Sequence, residues 1–279
     1  MLFPVERLPP REFVRRLAIA LVVCVGPLVV AGIAVSLMPG PPTVLRPLQV
    51  LLPVVVVLAY RFYVRRIEHR ALAEFAPGGA VRECCRGVLL GAGLFTATVA
   101  LLAAFGSYEV VGQGSLAGAV QQLTLAAAAA LMEEIIFRGI VFRLTEAAFG
   151  TGFAVAASAA LFGVAHAVSS HPTLLALVAV AVEAGILLAL AYVVTRRLWF
   201  AIGTHAAWNF TQGGIFGLAV SGHGSEGLLI GRTSGPEWLT GGKFGPEASV
   251  ISIVVCLAAS GLLLLRARRL SLLVPRVRR

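Results

Sequence analysis

The fold is decided by Leu123-Thr124-Leu125-Ala126-Ala127-Ala128-Ala129-Ala130-Leu131-Met132-Glu133-Glu134-Ile135-Ile136-Phe137-Arg138. An apolar run suited to a bilayer leads straight into two adjacent carboxylates and an arginine. Each charged side chain at membrane depth is unfavourable by about 2.5–3.5 kcal/mol on insertion scales, so such residues mark a functional site whose partners lie on neighbouring helices.

The rest of the chain supports the membrane reading. Of its 279 residues 58% are apolar and only 13% charged, and the mean hydropathy is +0.91, far above that of a soluble domain. A span needs about 20 apolar residues. Eight candidates follow, over 14–38, 43–64, 86–105, 116–138, 152–168, 172–195, 199–219 and 248–265. Lys and Arg accumulate in cytoplasmic loops, and with both termini inside, 20 of the 23 basic residues fall on the cytoplasmic side. The net charge of +10 then reflects topology and attraction to anionic headgroups rather than nucleic-acid binding. The Arg266, Arg268, Arg269, Arg276, Arg278, Arg279 tail reads as a membrane-surface anchor. Residues 1–38 resemble a signal peptide in charge order, but the apolar segment is too long for one and reads as a retained first span.

No CxxC pair suggests a structural metal, and Cys84-Cys85, at a cytoplasmic helix start, lies where disulfides are disfavoured. There is no internal repeat. Two linkers are long: 65–86, polar, basic and partly helical, and 221–247, an outside loop rich in glycine and irregular in expectation. Pro246-Glu247 at its end suits a helix start. One polytopic membrane domain over 1–279 is the simplest description.

Polar residues recur in three of the spans. Glu134 and Arg138 are i,i+4 neighbours able to pair on one helix face, while Glu133 points about 100° away and is free for another task. The fourth and fifth spans reverse at Gly150-Thr151-Gly152. Glu133 and His166 lie at roughly 25 and 21 Å from that turn at about 1.5 Å per residue, hence at similar height. His205 and Asn209 share one face of the seventh span, as Phe162 and His166 share one face of the fifth. A carboxylate near a histidine can hold and deprotonate water, and a second histidine with an amide can receive an oxyanion, which is the chemistry of carbonyl hydrolysis. Glu133, His166 and His205 also form a two-histidine, one-carboxylate set for zinc, although no HExxH is present. The alternatives are structural: a hydrogen-bonded packing histidine at 166, an internal ion pair at Glu134–Arg138, an interhelical bond at Asn209.

Three motifs together resemble one family, the CPBP or Abi family of CAAX proteases and bacteriocin-processing enzymes, related to the type II CAAX prenyl endopeptidases. EExxxR stands at Glu133-Glu134-Ile135-Ile136-Phe137-Arg138, FxxxH at Phe162-Gly163-Val164-Ala165-His166, and HxxxN at His205-Ala206-Ala207-Trp208-Asn209. They span a core of about residues 115–215. The resemblance implies an all-α integral membrane protein of about eight transmembrane helices around a polar cavity open to the cytoplasmic side. It implies an intramembrane endopeptidase of the bacterial type, in the cytoplasmic membrane, in which Glu133 and His166 activate water. His205 and Asn209 would form the oxyanion pocket, with Glu134 and Arg138 in support. The metal-free version is favoured over a zinc enzyme. Substrates would be membrane-associated peptides or proteins, prenylated CAAX proteins being one class. A non-catalytic scaffold or bacteriocin-immunity protein, and a transporter, are the readings from other classes; a transporter would show repeated halves with broken helices, which the chain lacks.

Glu183, in the sixth span with no basic residue at i±3 or i±4, is expected to bond another helix in protonated form rather than to line the cavity. His69, His171 and His223 are read as solvated surface residues.

Overall fold

The computed structural model describes residues 7–37 and 46–276, and the start of the second expected span and the end of the basic tail, Arg278 and Arg279, lie outside them. The described residues form eight helical rods. They comprise α1 (Pro10–Leu37), α2 (Arg46–Phe62) prolonged by a π turn over Tyr63–Ile67, α3 (Ala80–Ala104), and a long rod of α4 (Leu116–Glu134), a π segment Ile135–Phe142 and α5 (Arg143–Phe149). Then come α6 (Thr151–Ala165), a rod of α7 (Leu174–Val180), a π turn Ala181–Ile186 and α8 (Leu187–Thr195), α9 (Leu198–Phe210) with a π turn Thr211–Ile215, and α11 (Val250–Arg269). Among the described residues five stretches are long and apolar enough to cross a membrane, Pro10–Ala34, Ala80–Ala104, Thr151–Val168, Leu174–Thr195 and Val250–Arg269. The rods over 116–149 and 198–215 carry buried Glu134, Arg138 and His205. Outward-facing Val22, Leu89, Val164 and Leu262 are exposed, as a lipid-facing surface requires.

One feature was not expected from an all-α reading. Strands β1 (Tyr108–Gln113) and β2 (Leu229–Thr233) pair antiparallel, Tyr108 opposite Thr233 and Gln113 opposite Leu229. The loop 221–247 is therefore partly ordered, holding β2 and the single-turn helix α10 (Glu237–Thr240). The pairing satisfies backbone groups that a loop against a bilayer could not leave open.

Sequence signals explain the boundaries. Ser115 Oγ accepts from Gly118 N at 3.0 Å and caps α4, and Ser249 caps α11 through Ser252 N. Glu247 is not the capping acid of that helix; it is turned inward in the short turn Pro246–Ala248. Gly150 separates α5 from α6 with φ +86°, a conformation that glycine adopts without strain. Helices α3 and α9 pack through Gly87, Gly91 and Gly203; a Cβ at Gly91 would lie 2.1 Å from the Thr204 carbonyl. Small residues spaced by four are how membrane helices bring backbones together.

The bundle has two chemically different ends. Leu8 N donates to Ala147 O at 3.1 Å and Thr151 N to Val274 O at 2.9 Å, so both termini meet the α5–α6 turn. Arginines gather there in ion pairs, Arg143 with Glu68 at 2.8 Å, Arg196 with Glu146, and Arg197 with Glu83. The β1–β2 sheet and the loop after α9 form the other end.

Candidate active site

Glu134 and Arg138 form the centre of the polar cluster. Both are fully buried, and Arg138 Nη1 donates to Glu134 Oε1 at 2.9 Å. Arg138 Nη2 donates to the carbonyls of Ala184 at 2.8 Å and Gly185 at 3.2 Å. Those carbonyls belong to the π turn Ala181–Ile186, whose wider winding loosens the helical ladder and leaves acceptors for an outside donor. The guanidinium also lies over the Phe162 ring, 4.7 Å from its centroid. Arg138 thus fastens the fourth rod to the sixth and to α6.

The same carboxylate orients a histidine. His205 Nδ1 lies 3.0 Å from Glu134 Oε1, and since a carboxylate only accepts, Nδ1 carries the proton. His205 Nε2 is then the atom turned toward Glu133, whose Oε2 lies 3.9 Å away. Glu133 Oε2 is buried without a hydrogen-bond partner, while the side chain as a whole keeps 30% of its exposure. His166 Nδ1 lies 2.9 Å from the Phe162 carbonyl; a carbonyl accepts, so His166 Nε2 is the free nitrogen. Phe162 stacks between the two histidines, 4.8 Å from His166 and 6.1 Å from His205 between centroids.

These groups border a cavity of about 430 Å³ lined by Glu133, Phe162, His166, His205, Trp208 and Asn209 among others, within the range of ligand pockets. The structure brings Glu133, His166, His205 and Asn209 to one cavity, and Glu134 and Arg138 stand behind it. It does not join Glu133 to His166 by a hydrogen bond. Residues 115–211 match the family model described as type II CAAX prenyl endopeptidase Rce1-like. Over that segment, about a third of the chain, the sequence is similar to the CAAX protease family. No curated protein and no solved structure matches the chain.

The matched segment contains the three motifs in full, with Glu133, Glu134, Arg138, His166, His205 and Asn209. A zinc ion would be held by Glu133, His166 and His205. Among the described residues no three His, Cys, Asp or Glu side chains converge as a metal-binding group, so no step below runs through a metal.

Outside the motifs the cavity departs from the sequence expectations. Glu183 does not bond another helix: it is 3% exposed, its Oε2 has no hydrogen-bond partner, and it lines the cavity. His223 is exposed but is not merely surface, because it lines the cavity together with Ser221 and Glu247. His69 and His171 are exposed as expected. Glu247 Oε1 accepts from the Ser221 backbone N–H at 2.5 Å, and its other oxygen from the Gln212 amide. Burial pushes the Glu247 carboxyl up to about 8 even though the Ser221 N–H pulls it down. The loop also gives the cavity an exposed wall. Exposed His223 and Gly224 line it at the sheet end, opposite the termini.

Proposed function

We propose that the chain is an intramembrane endopeptidase in which Glu133 is the general base for a water that attacks a peptide carbonyl. What carries this reading is the Glu133 carboxyl, with one buried, unpartnered oxygen 3.9 Å from His205 Nε2 at the edge of an apolar-walled cavity. Similarity to the CAAX endopeptidase family supports the reaction class; residue roles rest on this geometry and on chemistry.

Water bound between the Glu133 carboxylate and the free His166 Nε2 loses a proton to Glu133 as its oxygen forms the new C–O bond. The carbonyl π electrons move to oxygen, and the resulting oxyanion accepts from the Asn209 amide and from His205 Nε2–H when that ring carries two protons. Collapse of the intermediate breaks the C–N bond, and the proton held by Glu133 passes to the departing amine. Glu134 and Arg138 touch no reacting atom; they hold His205 in its tautomer and position. Substrates are membrane-associated peptides or proteins, prenylated ones included, because apolar Leu125, Ala126, Ala129, Val180 and Leu187 form much of the lining.

The test is cleavage of a panel of prenylated and apolar fluorogenic peptides by the purified protein in detergent, comparing wild type with Glu133→Gln, with and without a zinc chelator. A base of this kind contributes about 10²- to 10⁴-fold, so turnover should fall by that factor in Glu133→Gln and ignore the chelator. Chelator-sensitive turnover restored by zinc would replace the glutamate-activated water with a metal-bound one. Equal turnover by wild type and variant would remove Glu133 from the chemistry.

A further inference from the structure

The cavity contains a second carboxyl group that the hydrolytic scheme leaves idle. The π turn Ala181–Ile186 carries Glu183, 3% exposed and with Oε2 lacking any hydrogen-bond partner. Neighbouring helices come close without satisfying it. On α6, Ala159 packs against Gly185 in the same turn, and α11 contributes Cys256 to the lining. Glu247, which lines the same cavity, already has both oxygens engaged, by Ser221 N–H and the Gln212 amide.

Such a group is costly. A buried polar atom without a partner forfeits its hydration, and a carboxyl group recovers it only from a donor. Helix glue would have that donor in the bundle; a ligand-binding group awaits it from outside. The composition of the lining then decides the kind of donor. The cavity is bordered by three carboxyls, Glu133, Glu183 and Glu247, and three imidazoles, His166, His205 and His223, with no Lys or Arg among the lining residues. Arg138, the buried cation of the motif, has both terminal nitrogens engaged, by Glu134 and by two carbonyls, and does not line the cavity. Beside Glu183 a ligand carboxylate would face another carboxyl with no Lys or Arg to neutralise it, whereas an ammonium or guanidinium would find an unengaged carboxyl oxygen.

We propose that Glu183 is a subsite for a basic side chain or amine of the bound peptide, so that the protein selects apolar segments carrying Lys or Arg over those presenting a carboxylate. The substrate class rests on the protease reading above, but the binding step stands apart from it. The charged donor would satisfy Glu183 Oε2 with a charge-assisted hydrogen bond, the stronger kind. Glu247, with both oxygens engaged, offers no free lone pair.

Binding is measured on Glu133→Gln protein, whose turnover is slowed, in a neutral detergent by fluorescence anisotropy. The probes are labelled apolar peptides identical except for Lys, norleucine or Glu at one position, scanned along the sequence. At one or more positions Lys should bind about tenfold or more tightly than norleucine, as one hydrogen bond to a charged group implies, and Glu should bind weakest. Adding Glu183→Gln, or Glu183→Met as a second variant should the first fold poorly, should abolish the Lys preference while leaving norleucine binding within about twofold. Equal binding of Lys and norleucine peptides at every position, or a Lys preference that survives both substitutions, overturns the subsite. Wild-type turnover of the same peptides separates the two readings. No cleavage of any peptide with the Lys preference intact removes the protease and leaves the subsite; cleavage with no Lys preference does the reverse.

Discussion

Glu134 holds His205: the imidazole Nδ1 lies 3.0 Å from the same carboxylate oxygen that receives Arg138 Nη1 at 2.9 Å. One oxygen atom thus joins the fourth rod to α9 and sets which nitrogen of His205 faces Glu133. Two adjacent glutamates have different work because successive residues on a helix point about 100° apart, one into the buried ion pair and one to the cavity edge.

The pair predicts a strongly non-additive mutant cycle. Removing one partner of a buried ion pair is destabilising by about 3–5 kcal/mol, while replacing both by apolar residues of similar volume is far milder. Glu134→Leu or Arg138→Met alone should lower the thermal midpoint sharply in detergent, and the double variant should recover part of the loss. Additive losses would show that the two residues are not energetically joined. Activity should vanish in all three, since each releases His205 or the carbonyls of Ala184 and Gly185.

A pair of glycines on one helix gives a controlled test of how α9 is placed. A Cβ at Gly91 would meet the Thr204 carbonyl at 2.1 Å, whereas one at Gly93 meets nothing within 4 Å. Gly91→Ala should push α9 outward, carrying His205 and Asn209 with it. We expect Gly91→Ala to lose at least tenfold in turnover, with a loss of about 1–3 kcal/mol from overpacking, and Gly93→Ala to retain wild-type stability and rate. Indistinguishable behaviour of the two variants in melting and peptide cleavage would contradict the close α3–α9 contact.

Much of this was legible in the residues because membrane helices advertise themselves. Apolar length located the rods, and charge within apolar helices located the cluster, since Glu134, Arg138 and His205 have no reason to be in a span unless they meet. The β1–β2 sheet was hidden because Leu229–Thr233 sits in a glycine-rich stretch whose pairing depends on a strand 115 or more residues earlier in the chain, a long-range contact that local pattern does not encode. Glu247 was masked by a helix-start signature at Pro246-Glu247 that Ser249 in fact fulfils. Glu183 could be recognised as unusual, but whether a lone buried acid faces a helix or a cavity depends on the winding of the π turn that carries it, and no residue pattern announces that turn.

Outside the spans, Glu68 sets an acid limit on stability. Burial alone would raise its carboxyl pKa, but Arg143 and Arg70, bonded to it at 2.8 and 2.7 Å, hold it below the ordinary value of 4.5. A depressed folded-state pKa contributes stability that is present above the unfolded value and lost as pH falls through the folded one. Glu68→Gln should therefore melt several degrees below wild type at pH 7, and the gap should close as the pH is lowered past about 4. A gap that stays constant from pH 7 to pH 3 would mean the ion cluster contributes nothing through its charge.

Where the cavity opens is decided by combining charge with geometry. The arginine-rich ion pairs and both termini share one end of the bundle, while exposed His223 and Gly224 line the cavity at the other. Basic residues mark the cytoplasmic side, so the mouth should face the opposite side of the membrane, and substrate should enter from there. In a variant whose Cys24, Cys84, Cys85 and Cys256 are replaced, a cysteine at His223 should react with a membrane-impermeant maleimide in intact cells. One at His69, exposed at the arginine-rich end, should react only after permeabilisation. The converse labelling would place the mouth in the cytoplasm and the arginine-rich end outside, making the motif resemblance rather than the charge distribution the better guide to orientation.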